Sequence, residues 1–249
     1  MIIQIIGLPG SGKTTLAKAF AQRTNAIHFN ADEVRADLNQ DLGFTAEDRV
    51  EQARRMGALA RLTDKQGYVT IVDFVCPTKE TRDAFGKADY VIWMNRVSES
   101  RYIDTNKLWE EPEEISAMIG LGFTVEEEIE MLFEITGLPD WKSPTTLMLG
   151  RYQPWHEGHK ALLDKAFDRT EQVVIGVRDT HGTSEKDPLT FNEVAEGIKT
   201  TEQSPFIVKM PNITNIVYGR DVGYKIEQID LGADIHAISA TQKRKEMGI

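Results

Sequence analysis

Cysteine is almost absent. The single Cys76 leaves no internal disulfide framework, and a lone thiol suits a reducing compartment. No apolar run approaches the roughly 18 residues of a membrane-crossing helix, so no membrane partner is expected. Basic residues are in the minority, with 29 Lys and Arg against 39 Asp and Glu, a formal net charge of −10. That balance argues against nucleic acid as the main partner, because phosphate backbones require clustered cations. It leaves open a small phosphorylated ligand, which needs only a local basic pocket. Internal repeats and low-complexity tracts are also lacking. Met1 leads straight into an apolar run, so no signal peptide is expected and the expected location is the cytoplasm. What remains is ordinary globular composition, 41% hydrophobic and 27% charged, over 249 residues, enough for one large domain or two small ones.

The most informative stretch is Gly7-Leu8-Pro9-Gly10-Ser11-Gly12-Lys13-Thr14. It follows the strand-like Ile2-Ile3-Gln4-Ile5-Ile6 and precedes the helix-like Thr15-Leu16-Ala17-Lys18-Ala19-Phe20-Ala21. This is the P-loop spacing in a strand–loop–helix setting. Gly7, Gly10 and Gly12 let backbone N–H groups, with those of Ser11 and Thr15, curl around phosphates at a helix N-terminus. Lys13 is expected to reach the β/γ-phosphates of ATP, and the Thr14 hydroxyl to ligate Mg²⁺.

Further along, Ala26–Asn30, Tyr68–Phe74 and Ala88–Met94 are strand-like and alternate with helical stretches, which predicts a parallel, helix-covered sheet. Asp32, just past a strand end, is either a base for an acceptor hydroxyl or a helix N-cap. Asp73 is either a Mg²⁺-side carboxylate or a loop residue, and Arg96 and Arg101 either reach the nucleotide or lie on the surface.

From about Ile3 to Asp83 the chain resembles the adenylylsulfate kinases. The resemblance rests on the P-loop, Asp32-Glu33-Val34-Arg35, the Leu38–Phe44 run with Asp41-Leu42-Gly43-Phe44, and Asp48-Arg49 followed by Arg54-Arg55. It implies that Asp32 accepts the proton of the acceptor hydroxyl, that Phe44 stacks on the acceptor's adenine, and that Arg35 and Arg49 hold its anionic groups. The family's first Asp beside the strand is Asn30 here, its Asn before the arginine pair is Gln52, and its Ser-Pro-Tyr/Phe-Arg segment is Cys76-Pro77-Thr78-Lys79. Lys79 is carried as a substrate-binding residue. After Met94 the family's basic lid is not recognisable. These departures leave the acceptor open.

Residues 105–143 are expected to form a helical extension and linker between a kinase domain at 1–104 and a second domain at 144–249. Thr124–Phe133 is an acidic amphipathic helix with Ile129, Leu132 and Phe133 on one face.

The second domain opens with Thr145–Leu149, then Gly150-Arg151-Tyr152-Gln153-Pro154-Trp155-His156-Glu157-Gly158-His159, and ends with Ile238-Ser239-Ala240-Thr241-Gln242-Lys243-Arg244. His156-x-Gly158-His159 together with Ile238-Ser239-x-Thr241-x-x-Arg244 resembles the nucleotidyltransferase superfamily. Attack on an α-phosphate with loss of pyrophosphate needs groups that track developing charge. His156, His159 and Arg244 are the catalytic residues expected, with Gly150, Arg151, Gly158, Ser239 and Thr241 at the nucleotide. Arg220 and Asp221, within Tyr218-Gly219-Arg220-Asp221, are similar to a Gly-Arg-Asp of ATP sulfurylases and are carried as substrate contacts.

The expected architecture is α/β: a three-layer P-loop kinase domain with a parallel sheet, then a small Rossmann-like nucleotidyltransferase domain. The leading expectation is a bifunctional transferase, using ATP in the first half and CTP or ATP in the second, with small phosphorylated metabolites as partners. Nothing opposes an oligomer. The alternatives are a sulfate-activating pair and a non-catalytic nucleotide-binding regulator.

Overall fold

The computed structural model describes residues 1–201, 203, 205–217, 219–220, 223, 225–232, 238 and 240–248. The chain divides into two compact units, Met1–Lys142 and Ser143–Ile249. Among the described residues no helix is long and apolar enough to cross a membrane.

The first unit is built on a five-stranded parallel sheet. Its strands are β1 (Ile2–Ile6), β2 (Ile27–Asn30), β3 (Thr70–Phe74), β4 (Tyr90–Met94) and β5 (Ala117–Ile119), in spatial order β2-β3-β1-β4-β5. β1 is central and wholly buried, which accounts for its nearly unbroken run of isoleucine. Helices α1 (Lys13–Thr24), α2 (Ala31–Asp37), α3 (Ala46–Asp64), α4 (Lys79–Phe85), α5 (Ile103–Leu108) and α6 (Val125–Thr136) connect and cover it. Phe20 and Leu16 of α1 pack with Ile3, Ile5 and Ile92 on one face, while Met56 and Ala60 of α3 pack with Val72 and Phe85 on the other.

β5 was not expected. Three residues are too few for a periodic pattern, and only pairing with β4 (Ile92↔Ala117, Met94↔Ile119) defines this strand. The stretch read as extension and linker therefore contributes a sheet edge. α6 buries Ile129 and Leu132 as expected, and Phe133 meets Phe20 edge-on at 5.1 Å. Its acidic residues are not simply a solvated face. Arg23 of α1, 8% exposed, donates to Glu126 at 2.6 Å and to both Asp140 oxygens at 2.6 Å.

The second unit holds a three-stranded parallel sheet, β6 (Thr145–Gly150), β7 (Gln172–Arg178) and β8 (Phe206–Met210), in that order. Helix α7 (Glu157–Phe167) follows β6, and α8 (Phe191–Lys199) lies between β7 and β8 in sequence. Leu163, Val173, Ile175, Val194 and Ile198 form its core. A last described helix spans Ala240–Met247. Parallel strands joined through helices make both units α/β.

Candidate functional site

In the first unit the loops after β1, β2, β3 and β4 all open at the carboxyl edge of the sheet, where such folds place ligands. They enclose a cavity of about 1170 Å³ whose lining includes Gly10, Lys13, Thr14, Asp32, Arg35 and Phe44. Arg49, Asp73, Arg101 and Tyr102 line it too.

The phosphate cradle begins at Gly7, with φ +148°, where a Cβ would stand 2.6 Å from the Met94 carbonyl oxygen; only glycine fits there. Gly12 caps α1 with φ 90°. Lys13 is buried, and its Nζ donates to the Leu8 carbonyl at 2.9 Å. Burial lowers its pKa to about 8, against the opposing pull of Asp73 and Asp32. The Ser11 hydroxyl oxygen is buried without a hydrogen-bond partner among the described residues. A buried cation and a buried hydroxyl at the N-terminus of α1 fit a polyphosphate, although the Ser11 N–H already donates to the Leu8 carbonyl at 3.2 Å. Thr15, in the same first turn of α1, is exposed.

Next to it Thr14 Oγ1 donates to Asp73 Oδ2 at 2.6 Å. Asn30 Nδ2 lies 3.0 Å from Asp73 Oδ2, and His28 Nε2 lies 2.5 Å from Asp73 Oδ1. A hydroxyl beside a carboxylate is a hard oxygen set suited to Mg²⁺. Among the described residues no group of three or more acidic, His or Cys side chains could hold a metal. Mg²⁺ at Thr14 and Asp73 would therefore draw its remaining ligands from phosphates and water.

Asp32 is not the N-cap of α2. Asn30 is, because its Oδ1 accepts from Asp32 N and Glu33 N, each at 3.0 Å. The Asp32 side chain, 87% exposed, is left facing the cavity. Arg35 is largely buried, with Nε lacking a hydrogen-bond partner among the described residues and Asp32 Oδ1 3.7 Å from Nη1. Its guanidinium carbon sits 4.5 Å from the centre of the Phe44 ring, which is 63% exposed. Arg49 flanks the same ring at 5.8 Å and pairs with Asp104 at 2.8 Å. Cys76 also lines the cavity, but burial pushes its thiol up to about 12, so it is no nucleophile.

Lys79 does not join this group. It opens α4 outside the cavity lining, and its Nζ pairs with Asp83 at 2.7 Å, the usual fate of a lysine one helical turn from a carboxylate. Arg101 lines the cavity, with Val97, Glu99, Ser100, Tyr102 and Thr105 of the same segment. Arg96 instead forms an ion pair with the fully buried Glu128 and packs against Gly12.

In the second unit the two motifs meet. His156 caps α7, its Nδ1 accepting from Gly158 N at 3.1 Å. The His156 and His159 rings stack at 3.8 Å, and Trp155 and Tyr152 enclose His159 at 5.4 and 5.0 Å. Burial, then the neighbouring His156, lowers His159 to about 4, so it is neutral at pH 7; among the described residues its Nδ1 has no hydrogen-bond partner. Arg244 Nη1 donates to the Gln153 carbonyl at 2.7 Å and Nη2 to Thr241 Oγ1 at 3.1 Å. A Cβ at Gly150 would meet the Tyr152 ring at 2.8 Å. Arg151 pairs with Asp187 at 3.1 Å, and Arg220 lies in an exposed turn. Ser239 and Asp221 lie outside the described residues.

Residues 1–95 match the model of the adenylylsulphate kinase family. Residues 147–223 match that of the cytidylyltransferase-like family. Both halves are thus similar to the families their motifs resemble. The adenylyl-sulfate kinase of Bacillus licheniformis is 46% identical over 86 residues, 32% of this chain and 44% of that protein. The bifunctional enzyme NodQ of Azospirillum brasilense is 38% identical over 88 residues, 33% of this chain and 14% of that protein. The chain thus spans less than half the length of these relatives. Among solved structures, the Mycobacterium tuberculosis APS kinase CysC in complex with AMPPNP and APS superposes with a TM-score of 0.50 at 18% identity. That likeness covers 55% of this chain and 96% of that one, and it shows the fold alone.

Sequence reasoning missed His28 and left Asp73 undecided. The only signal for either was a position near a strand end, since the pairing register (Asn30↔Asp73) that joins them is not local.

Proposed function

We propose that the chain is a two-activity transferase: a kinase in Met1–Lys142 that moves the γ-phosphate of ATP to a hydroxyl acceptor, and a nucleotidyltransferase in Ser143–Ile249. The carrying observation is the cavity itself, which joins a phosphate cradle at Lys13 and Thr14 to Asp32, Arg35 and Phe44. In the kinase step the acceptor oxygen attacks the γ-phosphorus while its proton passes to the Asp32 carboxylate. The bond to the β–γ bridging oxygen breaks and ADP leaves. Lys13 offsets the charge on the transferred group, and Arg35, with an unused Nε–H, holds an anionic group of the acceptor. When bound, Mg²⁺ at Thr14 and Asp73 neutralises phosphate charge.

In the second unit a phosphate oxygen of a metabolite attacks the α-phosphorus of CTP or ATP and pyrophosphate departs. His156, His159, Thr241 and Arg244 are the groups that track the charge. A product phosphorylated in the first reaction is of the class consumed in the second.

The test is Mg²⁺-dependent turnover of ATP and CTP by the whole protein against a panel of alcohols and phosphate monoesters. Lys13→Met should abolish γ-phosphate transfer alone, and His159→Ala pyrophosphate release alone. Nucleotide binding with no turnover of either kind would support a regulator instead. A second reading, sulfate activation, is favoured by Arg35 and Arg49 flanking Phe44, a geometry suited to an anionic purine ester. Sulfate-dependent pyrophosphate release from ATP separates it from the first.

A further inference from the structure

Asp73 is 1% exposed and is gripped from three sides. Thr14 Oγ1 reaches Oδ2 at 2.6 Å, Asn30 Nδ2 reaches Oδ2 at 3.0 Å and Oδ1 at 3.2 Å, and His28 Nε2 reaches Oδ1 at 2.5 Å. The orientation of Asn30 is decided by its cap: Oδ1 accepts two backbone N–H groups of α2, so its amide nitrogen must face Thr14 and Asp73. The His28 tautomer follows in the same way. A carboxylate only accepts, so Nε2 carries the hydrogen. β2 and β3 are adjacent and in register at Asn30↔Asp73, so the two strands share one carboxylate between two facing positions. β2 contributes two donors that aim it.

We propose that His28 and Asn30 are positioning residues for the Asp73 carboxylate, turning Oδ2 toward Thr14 so that the metal-side acid of the kinase site comes from β3. This rests on the kinase reading only in requiring Mg²⁺·ATP at the P-loop. His28 lies outside the cavity lining and acts through Asp73, whereas Asn30 lines the cavity and, besides Asp73, donates to Thr14 Oγ1 at 3.1 Å. The arrangement also explains why position 30 carries an amide. A carboxylate there would retain the cap but lose the N–H donor to Asp73 and, without bound metal, stand about 3 Å from that buried anion.

The experiment is Mn²⁺ binding to the protein–ATP complex by electron paramagnetic resonance, alongside ATP affinity in excess EDTA. His28→Phe should weaken Mn²⁺ about tenfold while metal-free ATP affinity stays within twofold, and His28→Gln, which restores an N–H donor, should recover most of the loss. Asp73→Asn should weaken Mn²⁺, and the double variant Asn30→Asp with Asp73→Asn should bind it more tightly than Asp73→Asn alone. A merely structural role would move both affinities together. Unchanged Mn²⁺ affinity in His28→Phe, or a double variant no better than Asp73→Asn, overturns the proposal. Because the readout is binding, absence of phosphate transfer would sink the kinase reading and leave this result standing.

Discussion

Lys13 should take up a proton when ATP binds. Without ligand its ammonium is buried and donates to the Leu8 carbonyl, and burial lowers its pKa to about 8. Phosphate oxygens against Nζ restore a counter-charge and return the group to the ordinary lysine range. At pH 8 half of the free protein carries a neutral Lys13, so binding should absorb about half a proton there and about 0.9 at pH 9. The Kd for ATP should accordingly rise about tenfold between pH 7 and pH 9. Calorimetry in two buffers of different ionisation enthalpy reads the proton directly, and Lys13→Met should abolish it. The sign for stability is the reverse of the usual lysine. Its folded pKa lies below the unfolded 10.5, so the free fold gains stability as pH rises from 8 toward 10.5, where the unfolded chain still holds the proton. Buffer-independent binding enthalpy at pH 8 would refute the argument.

Three further outcomes follow from the same geometry. Asp32→Asn should cut kcat for phosphate transfer a hundredfold or more, by about the size of a lost general base, with ATP affinity unchanged within about twofold; retained kcat would remove Asp32 from the chemistry. Arg23→Leu strips the guanidinium from the mostly buried Asp140 and from Glu126, and should cost about 3–5 kcal/mol in denaturant unfolding. The exposed pair Lys18–Glu33 should contribute under about 1 kcal/mol in the same assay. His159, with its pKa lowered to about 4 by burial, should destabilise the second unit by at most about 3 kcal/mol as pH falls from 6.5 through 4, a loss that His159→Gln should lack.

Several site residues were legible in the sequence because their chemistry is contiguous. The P-loop needs only a strand, a fixed spacing of glycines and a helix, and it folds as that spacing requires. His156 and His159 are three apart at a helix start, so their ring stacking follows from the turn itself. Asp32 shows where local reasoning stops. An aspartate ahead of a helix satisfies the rules for a cap, and only the reach of Asn30 Oδ1 to two backbone N–H groups releases it for other work. The acidic helix α6 is similar: its spacing foretells an apolar face but not that Glu128 lies buried against Arg96 or that Glu126 meets Arg23.

The amino-acid sequence by itself determined that there are two strand–loop–helix motifs in an α/β chain, because turn geometry and helix periodicity operate over a few neighbouring residues. Tertiary structure alone decided which side chains face one another across those motifs. The setting of β2 against β3 brings His28 and Asn30 to Asp73, and the fold of the last described helix brings Arg244 to Gln153. Strand register and long-range packing are collective choices of the whole core, and no short window of residues contains them.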